Sequence, residues 1–421
     1  MPLEISTLPI SAILPADYNP RKDLQPGDAE YEKLKASIEK FGYVELVVVN
    51  KRNDYTAISG HQRLKVLADL GIQEIECVVV DLDENQEKAL NIAMNKISGE
   101  WDEPKLALLI ADLQTADFDV NLTGFDTDEI EALLSLGAER EVTDDGFDLN
   151  AALEEAAFVQ EGDLWTLGEH KLLCGDATKA EDVERLMGGK QATLILTDPP
   201  YNASYKSASG LLIKNDTMED SAFYQFLLDS LTNMATVCEP GSSAYVFHAD
   251  TEGLNFRRAF KEAGFYLSGT CIWVKNSLVL GRSPYQWQHE PILFGWKTGG
   301  KHRWFADRKQ TTVWRFDKPS KNSEHPTSKP LDLMGYPIIN STPTNAIVLD
   351  CFAGSGSTLM AAAQLDRVCY AMELDPKYAS VILRRYAEAT GDAAEITCER
   401  EGKQYGYLDL VKEVDRPKQK G

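Results

Sequence analysis

Four consecutive residues, Asp198-Pro199-Pro200-Tyr201, set a carboxylate, two prolines and an aromatic ring side by side. Prolines fix φ and present carbonyls with no competing N–H, so the segment is stiff and rich in acceptors. An acceptor pair beside a ring suits a flat molecule carrying an amino group, such as an adenine lifted out of a helix. Taken alone, the tetrapeptide is also an ordinary turn sequence. What precedes it tips the balance. Ala192 to Leu196 is an apolar run that reads as a buried strand. The tetrapeptide therefore falls at a strand's C-terminal edge, where open α/β sheets bind their ligands.

A second apolar strand, Ala346 to Asp350, runs into Cys351-Phe352-Ala353-Gly354-Ser355-Gly356-Ser357-Thr358, and an apolar helix follows from Leu359. A further strand, Val368 to Met372, ends in Glu373, 19 residues beyond Gly354. A carboxylate at that distance is placed to bond the two hydroxyls of a ribose. The dinucleotide fingerprint needs a third glycine where Leu359 stands, so a pyrophosphate has no dedicated cradle. A cofactor with a ribose and no phosphate fits better, and S-adenosylmethionine is one.

The elements that carry these motifs sit in a chain of 421 residues, 43% of them hydrophobic, enough for two or three domains. No apolar run approaches membrane-spanning length and the first residues form no signal-peptide pattern. Seven cysteines with no C-x-x-C spacing point to a reducing, cytoplasmic setting. Cys351 reads as a small packing residue rather than a nucleophile. No Cys or His cluster has metal-ligand spacing, so no metal is expected.

A net charge of −23 argues against a general polyanion binder, but the charge is unevenly spread. Residues 100–163 hold 19 Asp/Glu and 2 Lys/Arg, whereas residues 275–329 hold 11 Lys/Arg and 4 Asp/Glu. The basic stretch also carries Trp287, Trp296, Trp304 and Trp314, and basic charge interleaved with aromatics is the expected signature of a nucleic-acid face. Trp296, within ILFGW, is expected in the core. The acidic stretch has apolar residues at helical spacing (Leu106, Leu109, Ile110, Leu113, then Ile130, Leu133, Leu134), which predicts short helices linking two domains, their charge solvating one face.

With these motifs in hand, the chain from about Glu161 to about Gly391 resembles the DNA amino-methyltransferases of the β order, in which the catalytic tetrapeptide precedes the cofactor loop. Gly175-Asp176 is similar to the family's element near the cofactor adenine, His325 to Pro330 to the segment before the glycine loop, and Glu373 to Tyr378 to the ribose-binding stretch. The chain departs from the commonest wording at Ser328, where a glutamine often stands, and at Cys351. The resemblance implies an α/β fold: a Rossmann-like S-adenosylmethionine-dependent methyltransferase sheet over 161–421, with target recognition in 275–322. It implies Asp198, Pro199, Pro200 and Tyr201 as the catalytic set, Asp198 and the Pro199 carbonyl taking the two hydrogens of an amine while Tyr201 stacks on the flipped base. It implies Asp176, Thr327, Lys329, Asp350, Phe352, Gly354, Gly356, Ser357, Thr358 and Glu373 around the cofactor, with Thr327 and Lys329 at its carboxylate end. Lys301, Arg303, Arg308, Lys309 and Arg315 are the expected DNA contacts.

The first hundred residues read differently. Strands are predicted at Val44 to Asn50, Asp54 to Ile58 and Glu74 to Asp81, with a helix opening at Ser59-Gly60-His61-Gln62-Arg63. This part resembles the ParB/sulfiredoxin-like fold, whose G-x-x-R element opens a helix on an anion site, here Gly60, His61 and Arg63. The nucleotide-hydrolysing members carry two adjacent arginines; Gln62 stands at the first of them here, so positioning of DNA or a partner is expected rather than nucleotide turnover. The expected division is a ParB-like α+β domain at 1–100, an acidic helical linker at 101–160 and the methyltransferase domain at 161–421.

The expected activity is methyl transfer from S-adenosylmethionine to adenine N6 in double-stranded DNA, since Asp rather than Ser leads the tetrapeptide. The resemblance also implies pairing into homodimers. Two alternatives stay open at this point: an N4-cytosine methyltransferase, and a ParB-like DNA-binding regulator whose methylase half has decayed. A restriction partner is not written in the chain.

Overall fold

The computed structural model describes residues 4–95, 101–115, 118–125, 129–130, 133, 141–202, 216–279, 284–306, 309–317 and 329–415. The chain divides into two compact units, Met1–Leu134 and Ser135–Gly421.

The first unit holds a four-stranded sheet in the order β1-β4-β2-β3, with β1 at Glu4–Pro9, β2 at Val47–Asn50, β3 at Thr56–Ser59 and β4 at Glu74–Val80. Val47 and Val49 of β2, Ala57 of β3 and Ile75 and Val79 of β4 are buried with Leu64 and Leu67 of the helix His61–Asp69. A second cluster joins Ala89 and Ile92 of the helix Glu84–Asn95 to Leu106, Leu109, Ile110 and Leu113 of the helix Glu103–Thr115, and to Ile130.

The expected linker, 101–160, therefore does not behave as one segment. Its first helix buries a leucine face against Ile92 in the first unit. Its far end, through Phe147, Leu149, Ala152 and Leu153, packs on Val381 in the second. The stretch is acidic and amphipathic, and each apolar stripe takes the nearest core; composition alone does not say which core that is.

The second unit is built on one large sheet. Its strands are β5 Leu164–Leu167, β6 His170–Cys174, β7 Ala192–Thr197, β8 Cys238–Phe247, β9 Phe265–Val279, β10 Trp287–Lys297, β11 Val313–Arg315, β12 Ile347–Asp350, β13 Val368–Glu373, β14 Thr397–Arg400 and β15 Lys403–Gly406. They lie in the order β11-β9-β10-β8-β7-β12-β13-β6-β5-β14-β15. The five middle strands, β8-β7-β12-β13-β6, are parallel. All six residues of β7 are buried, as a parallel strand covered on both faces must be. The pleat sends Leu194 and Leu196 to one face with Leu359, Ile338 and Val348, and Ile195 to the other with Phe223, Leu227 and Leu349. Each such aliphatic side chain stabilises by about 1.5–3 kcal/mol when fully buried.

This layering brings the C-terminal ends of β7, β12, β13 and β6 to one edge, and with them Asp198, Asp350, Glu373 and Gly175. Beyond β8, the antiparallel β10 and β9 extend the sheet past that edge. All seven cysteines are free and buried. No described helix is long and apolar enough to cross a membrane.

Candidate active site

Asp198 follows Thr197, the last residue of β7. Thr197 donates its hydroxyl to Asp350 Oδ1 at 2.8 Å, tying the end of β7 to the end of β12. The loop after the tetrapeptide is pinned twice. The Tyr201 amide donates to Asp216 Oδ1 at 3.1 Å. Asn202, in the left-handed region at φ 56°, exchanges two bonds with the Met218 backbone, of 2.7 and 3.1 Å. Tyr201 is thereby held with its hydroxyl 2.5 Å from Asp198 Oδ1, to which it donates.

Around that pair lies a buried ion cluster. The Lys329 ammonium sits 2.7 Å from Asp198 Oδ2 and 3.0 Å from Glu290 Oε2, and donates to the Tyr201 hydroxyl at 3.2 Å. Glu290 Oε1 is bonded to Lys275 Nζ at 2.5 Å, and Glu290 Oε2 lies 3.2 Å from the Tyr201 hydroxyl. Glu290 and Lys275 lie diagonally on the adjacent strands β10 and β9, where Glu290 is paired with Trp273. Lys329 and Lys275 are 4% and 8% exposed at their side chains, so these charges are largely shielded from water. Burial acts on both carboxylates, with different outcomes. Glu290, against two ammonium groups, is held down at about 2 despite its burial. Asp198, against one and with Glu290 nearby, is pushed up by burial. Burial would lower Lys329, but the two carboxylates outweigh it and raise its pKa.

The glycine loop lies between β12 and the helix Ser357–Gln364. Gly354 and Gly356 have φ of 54° and 84°, the latter as helix cap, and a Cβ on Gly356 would come within 3.1 Å of Ile382. Four of the loop's amides have acceptors within the fold. Phe352 donates to Asp350 Oδ1, Ala353 to the Met372 carbonyl, Gly354 to Glu373 Oε2 and Gly356 to the Ala353 carbonyl. A phosphate cradle needs unpartnered amides, and these four are not available to one. Glu373, at the end of β13, also accepts from the Asp375 amide at 2.9 Å, and burial lifts its carboxyl to about 7. Burial likewise lifts Asp350 to about 6, against the Thr197 and Thr358 hydroxyls that bond it. Asp350 thus braces the loop from within. Asp176 is turned inward to Thr178, accepting from its amide and hydroxyl at 3.0 and 2.8 Å. Among the described residues no His, Cys, Asp and Glu group could hold a metal ion.

Residues 192–384 match the family described as DNA methylase, residues 3–96 the ParB N-terminal domain and residues 104–161 the ParB-methyltransferase HTH domain. Over 207 residues the chain is 30% identical to the putative methylase YubD of Escherichia coli K12, spanning 45% of this chain and 79% of that protein. The chain belongs to the DNA methylase family. The methylase is also 26% identical over 258 residues to the DNA adenine methyltransferase YhdJ of the same organism, covering 53% of this chain and 86% of that one. Its fold aligns with the crystal structure of the M1.HpyAVI–SAM complex at a TM-score of 0.40 and 25% identity, over 51% of this chain and 98% of that one.

Several expected residues of the methylase meet partners of other kinds. Lys329, expected at the cofactor's carboxylate end, has its ammonium on Asp198, Glu290 and Tyr201. Ser357 donates to the Lys329 carbonyl at 2.9 Å, so the two motifs are joined through backbone. Thr358 bonds Asp350 rather than facing outward. Thr327 and Arg308 lie outside the described residues. Of the basic set, Lys301, Lys309 and Arg315 are exposed, while Arg303 pairs with Glu239 at 2.5 Å. Trp296 is half-buried rather than in the core, because its ring lies between Tyr266 and His302, with centroids at 4.6 and 4.3 Å.

Sequence reasoning missed Glu290, Lys275 and the role of residues 141–147. The signal for the first two was a charge inside an apolar strand, CIWVK and HEPILF, where burial without pairing costs several kcal/mol, about 2–7 for even a neutral polar group. The third had no signal. Asp145 grips Arg385 with bonds of 2.6 and 3.1 Å, and Arg385 in turn donates to the Ser355 carbonyl in the glycine loop at 2.9 Å. Thr143 and Gln364 exchange a second pair of bonds beside it.

In the ParB-like unit, Gly60 caps the helix His61–Asp69 at φ 91°. Its Cβ would crowd Val47 and Arg63. Arg63 pairs with Glu45. His61 Nε2 accepts weakly from the Ala16 amide at 3.4 Å, and burial holds its pKa down at about 4, so the ring is neutral. The three residues come together at one helix start. Arg21 lies over the Trp101 ring at 4.1 Å with its two terminal nitrogens buried and without a hydrogen-bond partner.

Proposed function

We propose that the protein is an S-adenosylmethionine-dependent DNA methyltransferase acting on the N6 amino group of an adenine turned out of the duplex, in the cytoplasm. The observation that carries this reading is the rigid Asp198–Tyr201 unit at the edge of β7, next to a glycine loop whose Gly354 amide is bonded to the carboxylate of Glu373. The name of YhdJ, together with Asp at the head of the tetrapeptide, supports adenine.

The residues fit the cofactor. Glu373 keeps lone pairs on both oxygens for the ribose hydroxyls, and the tight turn at Gly354 and Gly356 lets backbone approach the nucleoside. When bound, the cofactor supplies a methyl group activated on a positively charged sulfur. The chain's own residues prepare the acceptor. An exocyclic amine conjugated to a ring is a weak nucleophile, because its lone pair is delocalised. Asp198 takes one N–H and the Pro199 carbonyl the other, which favours a pyramidal nitrogen with its lone pair directed at the methyl. On gaining a methyl group the nitrogen would shed one proton, and Asp198 would be the acceptor beside it. Tyr201, fixed through Asp216, offers its ring to the base. Rate gain comes from positioning and preorganised charge.

The exposed Lys301, Lys309 and Arg315 are the proposed phosphate contacts, and the ParB-like unit the part that positions DNA. The test is transfer of labelled methyl groups to unmethylated genomic DNA, followed by nucleoside analysis. N6-methyladenine supports the reading, N4-methylcytosine keeps the mechanism and replaces the base, and no product with cofactor bound removes the proposal.

A further inference from the structure

We propose that Lys329 is a displaceable counter-ion: its ammonium is shared by Asp198 and Glu290, and when a base arrives it passes to Glu290 alone and releases Asp198 to the amine. This rests on the methyl-transfer reading given above.

The ammonium stands where a target amine must stand. It donates to Asp198 Oδ2 at 2.7 Å and reaches the Tyr201 hydroxyl at 3.2 Å. Each Asp198 oxygen thus already carries one donor, Lys329 on Oδ2 and Tyr201 on Oδ1, and the ammonium competes with an incoming amine for Oδ2. Without a counter-ion, a carboxylate only 20% exposed would take up a proton more readily and become a poorer acceptor. The site therefore needs a cation that is present before the base and absent from Asp198 afterwards.

The second seat is already built. Glu290 Oε2 is 3.0 Å from the same nitrogen, so the transfer needs only side-chain rotation. Glu290 cannot follow the lysine, because its other oxygen is fixed by Lys275 across the β9–β10 pair. The Lys329 backbone is anchored by the Ser357 hydroxyl, which leaves a four-carbon stem as the moving part. The rings of Phe247 and Tyr201, with centroids 5.0 and 5.4 Å from the ammonium, keep aromatic faces beside the cation.

Charge balance gives the test its form. Lys275, Lys329, Asp198 and Glu290 sum to zero. Glu290→Gln leaves an excess positive charge and Lys329 with Asp198 as its one anion. Lys329→Met leaves an excess negative charge. The two together restore zero and leave Asp198 open.

The experiment is a double-mutant cycle on the full chain, reading kcat and KM for DNA at saturating cofactor, with cofactor Kd and Tm measured on each variant. Glu290→Gln is expected to raise KM for DNA by about tenfold or more with cofactor Kd unchanged, and the double variant to recover about tenfold in kcat/KM over Glu290→Gln. A double variant no better than Glu290→Gln, with both folded, overturns the proposal. So does Lys329→Met if it weakens cofactor binding and leaves KM for DNA alone, since that places the ammonium on the cofactor. If the variants do not fold, the wild-type complex with DNA decides. Lys329 hydrogen-bonded to Glu290 and parted from Asp198 supports the exchange, and Lys329 still on Asp198 with a base seated refutes it. A wild-type chain that methylates no DNA would instead remove the reading beneath this one.

Discussion

Tyr201 reports on the chemistry of the site because its hydroxyl has one proton and three neighbours, Asp198, Glu290 and Lys329. Donating to Asp198 leaves it an acceptor for the ammonium, which fixes the ring as well as the charge pattern. Asp198→Asn keeps the shape but removes the negative charge and turns one acceptor oxygen into an N–H donor, so kcat should fall by about 10²–10⁴ with cofactor Kd preserved, checked by single-turnover transfer and calorimetric titration. Glu373 gives a pH signature. Its folded carboxyl titrates near 7, above the ordinary 4.5, so ionisation costs the unliganded fold stability as pH rises from 4.5 to 7. Ribose hydroxyls donate to the ionised form. Cofactor affinity should therefore weaken as pH falls through 7, approaching about tenfold per pH unit, and Glu373→Gln should bind weakly with a flat profile. A wild-type profile flat across this range would refute the role. The positions of Asp198, Glu373 and the glycines at strand ends were legible in the sequence. Glu290 and Lys275 were not, because a charge in an apolar strand declares that it has a partner without naming it.

At the scale of elements, the glycine loop is a bracket closed from three sides: Asp350 below it, Glu373 from β13 and Arg385 from the helix Pro376–Thr390. Gly356 makes the bracket possible, since its φ of 84° leaves little freedom for a side chain and Ile382 leaves little space. Gly356→Ala should cost about 1–3 kcal/mol, measured by denaturant unfolding, and should weaken cofactor binding. The strands carrying the motifs were readable to within a few residues, because β7, β12 and β13 are parallel strands covered on both faces and read as unbroken apolar runs. Trp296 was misjudged because its strand, β10, lies in the antiparallel part of the sheet, where the pleat turns alternate residues outward.

At the scale of the whole molecule, the boundary between Leu134 and Ser135 sets where the chain can be divided. A chain beginning at Ser135 retains every described contact of the glycine loop and should fold, bind cofactor and elute as a compact species on gel filtration. One beginning at residue 101 exposes Leu106, Leu109, Ile110 and Leu113, stripped of Ala89 and Ile92, and should aggregate. Equal behaviour of the two would refute this division. The boundary was not legible because an acidic amphipathic stretch looks alike on either side of it. The Asp145–Arg385–Ser355 chain has a consequence for how such proteins are assembled from parts. Asp145 falls within the segment matched to the HTH domain, yet its carboxylate serves the catalytic sheet. Replacement of this chain's N-terminal part is thus constrained at its junction. A crossover upstream of residue 141 hands on the cofactor loop's brace with the enzyme, whereas one placed at the end of the HTH match, residue 161, brings in a foreign residue where Arg385 needs its carboxylate.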